Sequence, residues 1–259
     1  NDAMRETLQK FSVAAVFDGH SGWQCSQYLS QHLVPAMVLH EKFLDKQPDV
    51  AILDTFRMMD AKITALLRKE ECSAGSTAIM ALYDGRRHVF TVANVGDSMC
   101  VLSRGGRAVK LHRVHRFSDS KECLPEKERV EAAGSAVVNN RVDGILAVSR
   151  AFGDVSFKTG ARGAPPVIAV PDIISEVITP MTEFAVIASD GLWDVMEPQL
   201  VVNFVRKMVN KRNDLQAVAA ELVQEALARG SVDNVTVLIV SFHMPPLKEG
   251  GNDDGEKKE

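Results

Sequence analysis

Ser12-Val13-Ala14-Ala15-Val16-Phe17-Asp18-Gly19-His20-Ser21-Gly22 is the stretch that decides how this chain is read. Residues 13–17 have the length and β-branched content of a buried strand, and the apolar run stops abruptly at Asp18-Gly19-His20. Gly19 and Gly22 permit a sharp turn, after which Trp23, Tyr28, Leu29 and Leu33 recur at helical spacing. The expectation is strand, tight turn, helix. Alone, an Asp-Gly after a strand is an ordinary turn or helix cap. Here the pattern recurs: the apolar residues 184–189 end in Asp190-Gly191, and Asp233 stands just ahead of the apolar residues 235–240. If the third strand runs antiparallel to the other two, Asp18, Asp190 and Asp233 meet at one edge of the core. Three carboxylates in one small space cannot all stay ionised without cations, and oxygen-only donors favour Mg2+ or Mn2+. Ions held this way activate water and stabilise displacement at phosphorus.

Composition narrows the setting. The chain's 259 residues are enough to bury a full core. A net charge of −4 and a pI near 6.0 argue against a general nucleic-acid binder. No apolar run approaches the roughly 20 residues needed to span a bilayer, and no charged-then-apolar leader opens the chain. The expected setting is intracellular, cytoplasm or nucleus. Cys25, Cys72, Cys100 and Cys123 are widely spaced with no Cys-x-x-Cys pair, so reduced structural thiols are expected rather than a zinc site or disulfides.

Working outward, Val50, Leu53, Phe56, Met59, Ile63, Leu66 and Leu67 mark an amphipathic helix. Residues 76–83, 88–95, 99–103 and 108–111 read as short strands separated by Asp84-Gly85, Gly96-Asp97 and Gly105-Gly106, which predicts an antiparallel meander. Residues 125–133 read as a charged helix closed by Gly134, residues 137–138 and 142–148 as short strands, and residues 153–172 as a loop rich in glycine and proline. Helices are expected over 198–209 and 215–228, the latter with Leu215, Val218, Ala219, Leu222, Val223 and Leu227 on one side. The domain reading is a single unit over 1–245, with antiparallel sheets sandwiched between helices, and a disordered polar tail over 246–259.

Six segments, in order, carry a family resemblance. They are Val16-Phe17-Asp18-Gly19-His20, Gly75-Ser76-Thr77-Ala78, Asn94-Val95-Gly96-Asp97-Ser98, Leu146-Ala147-Val148-Ser149-Arg150-Ala151-Phe152-Gly153-Asp154, Ala188-Ser189-Asp190-Gly191-Leu192-Trp193-Asp194-Val195 and Asp233-Asn234-Val235-Thr236-Val237. Together they resemble the metal-dependent Ser/Thr protein phosphatases of type 2C. The resemblance implies an α+β fold, a four-layer α-β-β-α sandwich with two central antiparallel sheets. It implies a centre of two Mg2+ or Mn2+ ions, with a weaker third in some members. Asp18 would bridge the metals, Gly19 would contribute its carbonyl, Asp190 and Asp233 would bind the first metal, and Asp97 and Asp194 would belong to the third site. A metal-bridging hydroxide would attack phosphoserine or phosphothreonine with no phosphoenzyme intermediate, His20 acting as general acid for the alkoxide. Phosphoprotein substrates and a monomer are the implied partners and state.

The chain also departs from that pattern. The family's upstream phosphate-binding arginine and Glu-Asp metal pair find no match in Met4-Arg5-Glu6. Ser21 stands for a usual glycine, Met99 for a usual arginine, and Val114-His115-Arg116-Phe117 for Asp-His-Lys-Pro. Asp97 and Asp194 also read as a turn residue and a helix cap, Arg150 and Asp154 as anchors of their loop, and Trp193 as packing. Cys123-x5-Arg129 has cysteine-phosphatase spacing, but a helix with Glu126 and Glu128 and no glycine cannot form that anion-binding loop. The competing function is a binding scaffold that keeps the sandwich without catalysis. A two-metal nuclease or small-molecule phosphatase fits the carboxylates but not the motif order.

Overall fold

Strand positions that are apolar without alternation are the ones buried on both faces, and they form the centre of the molecule. The computed structural model describes residues 10–44, 46–118, 120–212 and 214–243; the expected tail and the segment containing Met4 and Arg5 lie outside them. The strands are β1 (Phe11–Val16), β2 (Gly19–His20), β3 (Gly75–Ser76), β4 (Ala78–Asp84), β5 (Val89–Val95), β6 (Met99–Arg104), β7 (Arg107–Lys110), β8 (Val137–Val138), β9 (Arg141–Val142), β10 (Phe152–Gly153), β11 (Asp172–Val177), β12 (Thr182–Ala188) and β13 (Val237–Ser241). The helices are α1 (Gln24–Val38), α2 (Glu41–Leu44), α3 (Pro48–Lys69), α4 (Leu124–Ala132), α5 (Asp190–Trp193), α6 (Pro198–Arg212) and α7 (Leu215–Ala228).

Two four-stranded antiparallel sheets, ordered β1-β4-β5-β11 and β13-β12-β6-β7, pack face to face. Between them lie Ile79, Ala81, Phe90 and Val92 from one sheet and Cys100, Leu102, Ala185 and Ile187 from the other. The outer face of the first sheet (Met80, Leu82, Ala93, Val95) packs on α1 and α3 through Leu29, Leu33, Phe56 and Ile63. The outer face of the second (Val101, Phe184, Val186, Ala188) packs on α6 and α7 through Val201, Val205, Val218 and Leu222. This is the four-layer α-β-β-α sandwich. Each fully buried aliphatic side chain in these layers contributes about 1.5–3 kcal/mol.

The expected meander is corrected. β4 pairs with β5 and β6 pairs with β7, but β5 and β6 belong to different sheets. Gly96-Asp97-Ser98 therefore carries the chain across the sandwich instead of closing a hairpin. β11, which the sequence reading missed, pairs with β5 from Asp172↔Asn94 to Val177↔Val89. Residues 143–148 are not a strand; β9 ends at Val142, and beyond it only Leu146 and Val148 make isolated bridges. On α7 the buried line is Val218, Leu222 and Ala226, one step round from the expected face, and Leu227 is exposed. α3 likewise buries Ile52, Phe56, Met59, Ile63 and Leu67 but leaves Val50 and Leu66 exposed.

A charged network holds the segments that frame the crossover. Glu126 on α4 accepts from Ser149 Oγ at 2.6 Å, Arg129 Nη2 at 3.0 Å and Arg150 Nη2 at 2.7 Å. Arg150 also reaches Asp172 Oδ1 at 2.9 Å, and His115 Nε2 faces Asp172 Oδ2 at 3.2 Å. Burial opposes the Glu126 charge, but Arg150, Arg129 and Ser149 outweigh it and hold the carboxyl well below the usual range. Burial lowers His115 and takes His112 down to about 4. All three folded values lie below their unfolded ones, so the native state binds fewer protons and stability rises with pH. The histidine contribution is present above about pH 6.5 and lost as pH falls toward 4, with the Glu126 contribution going below about pH 4.3. Calorimetry should show the thermal midpoint of wild type falling relative to that of His112→Gln as pH drops from 7 to 4, a difference that separates this histidine from groups shifted the other way; a constant difference would contradict the assignment.

Candidate active site

The strand-to-turn geometry of β1 brings Asp18 to one end of the sandwich. The Asp18 carbonyl accepts Thr77 N–H at 2.9 Å and Ser76 Oγ–H at 3.2 Å, which ties the turn to β3. β12 delivers Asp190 to the same end, and the segment before β13 delivers Asp233. β12 and β13 are antiparallel, with Ala188↔Val237 at their shared edge. Ser189 Oγ donates to Asn234 O at 3.2 Å and accepts Thr236 N–H at 3.1 Å, while Ser231 Oγ donates to Gly191 O at 2.7 Å. Gly191 has no room for a side chain, since a Cβ there would strike the Asn234 carbonyl. Asp18, Gly19, His20, Asp97, Asp190, Asp194 and Asp233, all singled out from the sequence, line one cleft of about 680 Å3.

Electrostatics in the cleft show a deficit of positive charge. Burial raises the Asp18 carboxyl above its ordinary value, Asp97 and Asp233 add to the rise, and the adjacent Asp190 carboxyl opposes it. Asp190 is pushed up to about 7, first by burial and then by Asp97, with Arg116 pulling the other way. Its Oδ1 is buried with no hydrogen-bond partner. Hard oxygen donors with an orphaned carboxylate oxygen fit a divalent cation by chemistry. In this side-chain arrangement, however, no three Asp, Glu, His or Cys side chains among the described residues are gathered closely enough to ligate one ion. Asp97, Asp190 and Asp194 instead surround the guanidinium of Arg116: Nε on Asp97, Nη2 on Asp190, and Nη1 on Asp194 Oδ1 at 2.6 Å. Asp97 thus lies on a crossover rather than capping a hairpin, and both it and Asp194, at the C-terminal end of α5, are ion-pair partners of Arg116.

His20 has a partner the sequence reading assigned elsewhere. Its Nε2 lies 2.9 and 2.8 Å from the two oxygens of buried Asp154. Burial alone would lower the imidazole, but Asp154 outweighs it, with Asp97 and Asp18 adding, and the group is raised above its ordinary value. Asp154, expected only to anchor its loop, sits in the left-handed region at φ +46 and holds His20. Gly75 makes this pair possible, because a Cβ there would overlap both Asp154 Oδ2 and His20 Nε2. Arg150 does anchor its segment, through Glu126, Asp172 and the Val170 carbonyl at 2.8 Å. Trp193 packs in the second outer core and donates to Ala188 O at 2.9 Å. Ser21 adopts φ +57, which accounts for glycine being the residue expected there. Nothing in the structure explains Met99 or Val114.

Two contributors escaped the sequence reading. Asp154 lies 134 residues from His20, beyond any local pattern. Arg116 left a signal, since it falls in the segment Val114-His115-Arg116-Phe117 that departs from the expected motif.

A family model described as Protein phosphatase 2C matches residues 2–235. The Arabidopsis thaliana protein named "Probable protein phosphatase 2C 69" is 40% identical over 230 residues, covering 88% of this chain and 60% of its own length. The chain therefore spans less than two thirds of that relative. Among solved structures, a C. elegans sex determining protein superposes with TM-score 0.79 at 29% identity, covering 91% of this chain and 57% of that one. A phosphatase from Toxoplasma gondii superposes with TM-score 0.78 at 26% identity, covering 91% of this chain and 86% of that one. Among the described residues no helix is long and apolar enough to cross a membrane.

Proposed function

Because the chain belongs to the protein phosphatase 2C family, we propose that it hydrolyses phosphoserine and phosphothreonine in proteins with Mg2+ or Mn2+. The observation that carries this reading is the placement of the His20–Asp154 pair in the same cleft as Asp18, Asp190 and Asp233. Asp18, the Gly19 carbonyl, Asp190 and Asp233 would hold the cations. When bound, these supply a nucleophile from water near neutral pH and offset negative charge at phosphorus.

The chain's own residues supply the rest. A serine or threonine alkoxide is a poor leaving group and needs a proton as the bond to phosphorus breaks. His20, whose protonated form Asp154 favours by holding Nε2, is the donor through its other ring nitrogen, Nδ1. The carboxylates of Asp18 and Asp190 draw cations into the cleft because burial makes their charge costly without them.

The direct test is phosphate release from a phosphothreonine peptide with Mn2+ or with EDTA. Release in Mn2+ that stops in EDTA supports the proposal; a folded sample with no release at any Mn2+ concentration would favour the scaffold reading. His20→Asn should slow hydrolysis of the phosphothreonine peptide by about a hundredfold or more. It should slow p-nitrophenyl phosphate far less, because a phenolate leaves without a proton. Equal losses on both substrates would remove His20 from the general-acid role.

A further inference from the structure

Among the described residues Arg116 is the cation that pairs with Asp97, Asp190 and Asp194, and its placement is built. His115 Nδ1 accepts Gly96 N–H at 3.0 Å, and His115 N–H donates to Gly96 O at 2.9 Å. His112 Nε2 bonds Ser98 O at 3.0 Å, and Ser149 N–H donates to His115 O at 2.8 Å. Residues 112–116 are thereby fastened on both sides of Asp97, and the guanidinium fork is delivered among Asp97, Asp190 and Asp194. Asp97 is 6% exposed and Asp190 17%, so two of the three carboxylates are largely withdrawn from water. The contacts divide Asp190: Oδ2 belongs to Arg116, while Oδ1 has no partner.

We infer that Arg116 is an intramolecular cation that takes the place of one divalent ion among Asp97, Asp190 and Asp194, and so leaves the metal demand of this centre on the side of Asp18 and Asp233. The inference rests on the metal-dependent reading proposed above. A planar fork with donors on three nitrogens serves three separate carboxylates, which a lysine ammonium in the same place cannot do with equal geometry. Asp194 is 53% exposed and Arg116 33%, so a divalent ion arriving from solvent meets the arginine at the outer rim of the group and competes with it there.

The experiment counts Mn2+ bound by the full chain, by calorimetry and by the paramagnetic signal of free Mn2+, for wild type, Arg116→Gln and Arg116→Gln with Asp194→Asn. Arg116→Gln should bind one more Mn2+ per chain than wild type, or bind its weakest ion about tenfold tighter or more. Adding Asp194→Asn should remove the gain. In EDTA the thermal midpoint of Arg116→Gln should fall below that of wild type, and Mn2+ should restore it. Equal Mn2+ number and affinity in wild type and Arg116→Gln overturns the inference while leaving the metal-dependent reading standing. No Mn2+ on either chain overturns both. If Arg116→Gln does not fold in EDTA, Arg116→Lys decides: tighter Mn2+ binding than wild type supports the inference, and unchanged binding overturns it.

Discussion

Asp190→Asn should lower phosphate release from a phosphothreonine peptide by about a thousandfold, the several kcal/mol that cation-assisted charge stabilisation supplies at phosphorus. Asp190 opens α5 just beyond β12, with one oxygen on Arg116 and the other without a partner, between the crossover carrying Asp97 and the turn carrying Asp18. An amide keeps the shape and removes the charge that the proposed cations need. The same change should not lower stability in EDTA. It removes a buried anion that Asp97 and Asp18 repel, so the thermal midpoint without metal should equal or exceed that of wild type. Activity assays with Mn2+ and thermal unfolding in EDTA check the two halves separately. Retained activity would move the chemistry away from this carboxylate; a large fall in the metal-free midpoint would show that its ion pair with Arg116 matters more to the fold than its unpartnered oxygen.

Glu126→Ala should destabilise the protein by about 3–5 kcal/mol, because it leaves two arginines without the carboxylate that neutralises them. Glu126 accepts from Arg129, Arg150 and Ser149, and Arg150 then reaches across to Asp172 on β11. The loss should appear as a lower urea midpoint. Arg150→Met, which removes one cation while keeping some apolar volume, should cost less when added to Glu126→Ala than when made alone. A Glu126→Ala loss below about 1 kcal/mol would place this network among ion pairs of surface strength.

The sequence exposed the chemistry better than the connectivity. Asp18, Asp190 and Asp233 were legible because each sits where a strongly apolar strand stops or starts, and that is a local pattern. Asp97 was harder: Gly96-Asp97 between two strand-like runs looks the same whether the strands share a sheet or not. Only the register, with β5 on β4 and β11 and β6 on β12 and β7, distinguishes crossover from hairpin. β11 was invisible because an edge strand is half exposed, and Asp172-Ile173-Ile174-Ser175-Glu176-Val177 shows no clean alternation. His20 was recognisable, but its partner Asp154 was not, since nothing near either residue encodes a contact 134 positions apart. The amphipathic faces of α3 and α7 were found but turned slightly, since periodicity locates a stripe more surely than its edges.

The crossover at Gly96-Asp97-Ser98 has a mechanical consequence. Asp18 hangs from the first sheet, Asp190 and Asp233 from the second, and Asp97 from the ribbon joining them. Their mutual spacing is therefore gauged by the thickness of the apolar filling between the sheets: Ile79, Ala81 and Val92 against Cys100, Leu102 and Ala185. A methylene added or lost there shifts one set of carboxylates against the other by a fraction of an ångström, enough to matter for aligned chemistry while the fold survives. The middle of the sandwich thus serves as a spacer block for the site at its end, and its tolerance to substitution is set by alignment before it is set by stability.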